Sequence, residues 1–93
     1  MLWQSEELFV KDSDISKGYR TFDVHNDKQE VIGTVIVSSN PAISKALSEN
    51  PKFETYRTIG SLKIFNSVDC TKYLVKSGGL PPNILKCIVQ LFK

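Results

Sequence analysis

Val31-Ile32-Gly33-Thr34-Val35-Ile36-Val37 is the stretch whose reading decides the fold. Its β-branched residues lose little χ1 freedom on a pleated surface and are crowded in a helix, so it reads as a strand. Alternation sends Val31, Val35 and Val37 to one face and Ile32 and Ile36 to the other. A strand that is apolar on both faces belongs inside a sheet, with cover above and below. The remainder of the chain is expected to supply that cover.

Upstream, Tyr19–Val24 alternates Tyr19, Thr21 and Asp23 against Arg20, Phe22 and Val24. Asn26-Asp27 then provides a turn, which makes a β-hairpin with the decisive strand and turns Phe22 and Val24 toward the core. Residues Glu7–Lys11 suit an additional short strand, or equally a helical turn opened by Ser5-Glu6-Glu7. Asp12-Ser13-Asp14 and Ser16-Lys17-Gly18 read as loop, and Trp3 as an anchor holding the terminus to the core.

Downstream, Asn40-Pro41 is a helix start, with Asn40 as N-cap and Pro41 at the first helical position. Ile43, Ala46 and Leu47 give that helix a narrow apolar stripe, and Pro51 disfavours helical geometry at Asn50 and stops it near Glu49. Phe53–Ile59 and Leu62–Ser67 flank Gly60-Ser61, a glycine-first pair suited to a two-residue type II′ turn. That second hairpin would pair Ile59 with Leu62, Arg57 with Ile64, and Tyr56 with Phe65, leaving Tyr56, Phe65, Thr58 and Lys63 on one face.

Ser67 or Asp69 can cap a further helix with Cys70, Tyr73 and Leu74 inward and Lys72 and Lys76 outward, ended by Gly78-Gly79. After Leu80-Pro81-Pro82 a last helix opens at Pro82 or Asn83 and runs through Phe92. On its wheel Lys86, Gln90 and Lys93 cluster within about 60°, which leaves an apolar arc of about 200°. An arc that wide is either buried between two layers of its own domain or shared with another chain.

The expected fold is therefore α+β: a mostly antiparallel sheet of two β-hairpins in the order β-β-α-β-β-α-α, with room for one more N-terminal strand and with helices packed on it. The 93 residues form a single domain, 1–93, since a chain of this length buries one core and not two.

The formal charge is +2 but unevenly spread. Residues 1–54 hold six bases and nine acids, a net of −3. Residues 55–93 hold six bases and the single acid Asp69, a net of +5. If the halves occupy different surfaces, the molecule has a negative and a positive side. No window approaches the roughly 20 apolar residues of a membrane span, so no membrane partner is expected. The opening residues lack a basic start and a long apolar run. The expected compartment is cytoplasmic and reducing, with Cys70 and Cys87 as thiols.

Chemistry is sparse. His25, Cys70 and Cys87 match no zinc spacing, so no metal is expected. Cys70 would sit in the first turn of its helix, where a thiol pKa can fall, but it shares the inward stripe with Tyr73 and Leu74. There is no Gly-x-Ser-x-Gly elbow, Walker loop or Gly-x-Gly-x-x-Gly, so no cofactor is expected. Asp12 and Asp14 are spaced like the start of a calcium loop, but the pattern fails at Lys17. With one histidine and no nucleophile–base pair, the chain is not expected to be an enzyme; a cysteine-dependent reaction is the last of the alternatives.

Binding is what remains. Tyr56 and Phe65 side by side, with Lys63, Lys72 and Lys76 near, would suit unpaired bases and phosphates, the nucleic-acid alternative. Against it stand the low net charge and the lack of a basic cluster or RNA motif. The preferred expectation is a non-catalytic small protein acting through protein–protein contacts, as an adaptor, inhibitor or self-associating regulator. A homodimer through the last helix or an edge strand would use both the apolar arc and the charge imbalance. The expected contact residues are Tyr56, Lys63, Phe65, Lys72, Lys76 and Phe92.

Overall fold

The computed structural model describes residues 2–5, 8–16, 18–66, 72 and 82–92, with the backbone alone at 2–5 and 15. The fold is α+β. Strands β1 (Leu2–Ser5), β2 (Leu8–Ser16), β3 (Tyr19–His25), β4 (Val31–Ser38) and β5 (Leu62–Asn66) form one sheet in the order β1-β2-β3-β4-β5. The first four are an antiparallel meander, and β5 joins β4 in parallel. Helix α1 (Pro41–Ser48), a 3-10 turn at Pro51–Phe53 and helix α2 (Glu54–Thr58) carry the chain from β4 to β5; helix α3 covers Pro82–Gln90.

β4 is the decisive strand, and it lies inside the sheet with neighbours on both sides, buried from Gly33 to Ser38. β3, rather than β4, takes the central position. Register explains the burial. Val24, Phe22 and Arg20 lie opposite Gly33, Val35 and Val37, so these side chains share one face. There Val10, Phe22, Val24, Val35 and Val37 pack with Ile88 and Val89 of α3. Each such side chain, when fully buried, contributes about 1.5–3 kcal/mol. The opposite face holds Ile36, also fully buried, on the side where the Ser44 hydroxyl of α1 donates to Asn66 Oδ1 of β5 at 2.5 Å.

Two expectations are corrected. First, the second hairpin does not form: Glu54–Thr58 is helical and only Leu62–Asn66 is a strand. The reason is local. Asn50 repeats the device used at Asn40, its side chain accepting from the Lys52 N–H at 3.0 Å just as Asn40 accepts from Ala42 at 2.9 Å. At the far end Gly60, with φ of 76°, closes α2: its N–H reaches Arg57 O and the Ser61 N–H reaches Tyr56 O at 2.7 Å. That pair of bonds is a Schellman stop, and it needs the same left-handed glycine that a hairpin turn would.

Second, Asp12-Ser13-Asp14 is not a loop. β2 runs through it with a bulge, Asp12 facing Phe22 and Asp14 facing Thr21. Thr21 and Phe22 point to opposite faces, so the bulge sends the two carboxylates to opposite sides of the sheet. Asp12 meets Arg20 at 2.8 Å among the core residues, while Asp14 lies 3.8 Å from Lys52 on the other side. Of the two readings left open for the segment ahead of this bulge, strand is the one that forms at Leu8–Lys11, as part of the longer β2; Glu6 and Glu7 lie outside the described residues.

The wide arc of the last helix is largely spent within its own domain. Ile88 and Val89 are buried, and Ile84, Leu85 and Phe92 are half-buried against the core. Leu91 and Cys87 remain exposed. The expected helix between Ser67 and Gly78, with Cys70, Tyr73, Leu74 and Lys76, lies outside the described residues; Lys72 alone is described, helical and exposed.

Candidate interaction surface

β5 occupies one border of the sheet and, among the described residues, pairs only with β4. Its register is fixed by Ile64 opposite Ile36 and Phe65 opposite Val37. Phe65 and Lys63 therefore share the α3 side of the sheet, where both are half-buried and Phe65 packs on the core cluster. Leu62, Ile64 and Asn66 share the α1 side. Ile36 is sealed there, but Ile64 beside it stays 43 % exposed. Ile59, at the end of α2 where the chain turns into β5, is 64 % exposed. Branched aliphatic side chains exposed on a border strand, and beside it, are the feature that a protein surface ordinarily avoids.

The expected contact residues are dispersed. Tyr56 sits half-buried on α2 and is not the cross-strand neighbour of Phe65, because α2 is a helix. Phe92 is half-buried with its ring against Gly33 of β4. Lys72 is exposed, and Lys76 lies outside the described residues. Arg57 is engaged within the fold, its Nη1 donating to Ser48 O and, at 2.9 Å, to Asn50 O, so that it ties down the end of α1. Ile59 and Ile64 escape sequence reasoning because a hairpin would put both on one face with Leu62; the repeated Asn-Pro pair is the available signal for α2.

The described residues hold no group of three or more histidine, cysteine or carboxylate side chains able to share a metal ion. Asp12 and Asp14 are on opposite faces and cannot chelate one ion together. His25 ends β3, its Nδ1 at 3.2 Å from Gln29 O across the β3–β4 turn. No described helix is long and apolar enough to cross a membrane.

No protein-family model matches the chain, and no curated protein or solved structure matches it.

Proposed function

We propose that this protein is a non-catalytic binding protein that works through protein–protein contacts, as an adaptor, inhibitor or self-associating regulator. The observation that carries the reading is the exposure of Ile64 on the border strand, next to the fully buried Ile36, with Ile59 exposed at the strand's entry. A chain that seals Ile36 completely and leaves its neighbour open keeps apolar surface where a partner could cover it. The nucleic-acid alternative needs a Tyr56–Phe65 pair that the helical α2 does not provide.

The test is the double variant Ile59→Lys/Ile64→Lys. The wild-type protein is expected to bind a purified partner chain, itself or another protein, at concentrations up to about 100 µM, and the variant to bind it more than tenfold more weakly with an unchanged melting temperature. Equal binding by the variant, or a wild type that binds no chain at all, would refute the reading. Binding to single-stranded RNA or DNA that falls steeply as salt is raised would instead favour the nucleic-acid alternative.

A further inference from the structure

Resting on that reading, we infer that the partner covering β5 is a second copy of this chain, joined by antiparallel β5–β5 pairing about a two-fold axis at Ile64. Three features of the strand select this occupant. The first is its sequence, Leu62-Lys63-Ile64-Phe65-Asn66. Antiparallel pairing centred on Ile64 sets Ile64 against its own copy, Leu62 against the copy's Asn66, and Lys63 against the copy's Phe65. The single charge of the strand then meets an aromatic ring rather than itself, a favourable arrangement across the seam. Parallel in-register pairing would stack Lys63 on Lys63 and has no closing symmetry; the two-fold arrangement is self-limiting.

The second feature is the availability of the edge. β5 pairs on one side only among the described residues, and an edge strand presents main-chain donors and acceptors to any strand laid beside it. The third is room. α1 sits over β4 and β5 on the Ile64 side. In the joined sheet the two copies of α1, each over the β4–β5 step, would be separated by about two strand spacings, roughly 10 Å, the distance of packed helices. The two Ile64 side chains form the floor between them, so pairing covers both while the helices meet side by side without overlapping. One short strand pair buries little area, so the association is of the weak, reversible kind.

The experiment uses the full chain with Cys70→Ser and Cys87→Ser, so that introduced thiols report alone. Pairing at Ile64 brings the two Cβ atoms to about 4.5–5.5 Å, within reach of a disulfide. At about 100 µM the Ile64→Cys chain is expected to oxidise to a covalent dimer, a concentration suited to a weak interface. Leu62→Cys alone should stay monomeric, whereas a mixture of Leu62→Cys with Asn66→Cys should cross-link. The parent chain should sediment as monomer and dimer in equilibrium, and Ile64→Lys should weaken the dimer more than tenfold while melting like the parent. A monomer at that concentration would overturn the inference, as would a dimer in which Ile64→Cys failed to link. In either case binding to a different chain that Ile59→Lys/Ile64→Lys abolished would leave the broader reading intact; its absence would remove both.

Discussion

Arg20→Met is expected to destabilise the protein by about 4 kcal/mol, the cost of leaving one member of a buried ion pair alone. Arg20 is 5 % exposed and its Nη2 donates to Asp12 Oδ2 at 2.8 Å; the Asp12 side chain is itself only 16 % exposed. The other carboxylate oxygen, Oδ1, is buried with no hydrogen-bond partner among the described residues. Methionine would fill much of the space of the arginine stem but bring no charge, so the carboxylate would stay in apolar surroundings with its counter-ion gone. The guanidinium also lies 5.6 Å from the centroid of the Phe22 ring, and methionine offers that ring no cation. For a domain of this size a loss of about 4 kcal/mol lowers the melting temperature by roughly 15–30 °C. The double variant Asp12→Leu/Arg20→Met should regain most of it, because a buried pair replaced on both sides is close to neutral. A single variant melting within about 4 °C of wild type, equivalent to under about 1 kcal/mol, would show that the pair carries no such penalty.

Gly33→Ala should cost about 3 kcal/mol, the upper end for overpacking by a single methyl group. A Cβ at this position would overlap the Phe92 ring at Cε1 and stand 2.5 Å from Ser61 O. The ring lies near the C-terminal end of α3 and can swing aside. The carbonyl cannot move so readily, because Ser61 O accepts the Thr34 N–H at 3.0 Å and fixes the entry of β5 against β4. Phe92→Ala in the Gly33→Ala background should therefore relieve only part of the strain, and in a double-mutant cycle the combined cost should fall below the sum of the two single ones. A neutral Gly33→Ala would mean that the β4–β5 junction yields freely.

What is legible in the sequence is whatever a short stretch decides by itself. The β-branched run declares β4, the alternation of Phe22 and Val24 declares β3, and Asn40-Pro41 declares α1. What is not legible is where one local signal serves two structures alike, or where a register set by a distant strand decides. Asn50-Pro51 marks the end of one helix and is also the start of the next turn. Gly60 is needed with positive φ by a hairpin and by a Schellman stop alike, so its presence cannot choose between them. The bulge in β2 hides in a polar Asp-Ser-Asp stretch that matches a loop composition. For the candidate surface the cost is direct: the turn that would pair Tyr56 with Phe65 is in fact a helix cap. Ile64 has the alternation of a core residue, and the register that exposes it comes from β4.

The parallel closure of the sheet has a temporal consequence. In the meander β1–β4 each strand pairs with the next along the chain, whereas β5 must wait for residues 39–61 to loop across before it has anything to pair with. Amides of Leu62–Asn66 should accordingly gain protection later than those of β3 and β4 when refolding is followed by pulse-labelled hydrogen exchange; simultaneous protection would contradict this. Until β5 arrives, the border of the sheet is β4, a longer and more apolar strand. The contact surface proposed above thus exists only once assembly is complete, and a chain caught short of that point presents a stickier edge in its place.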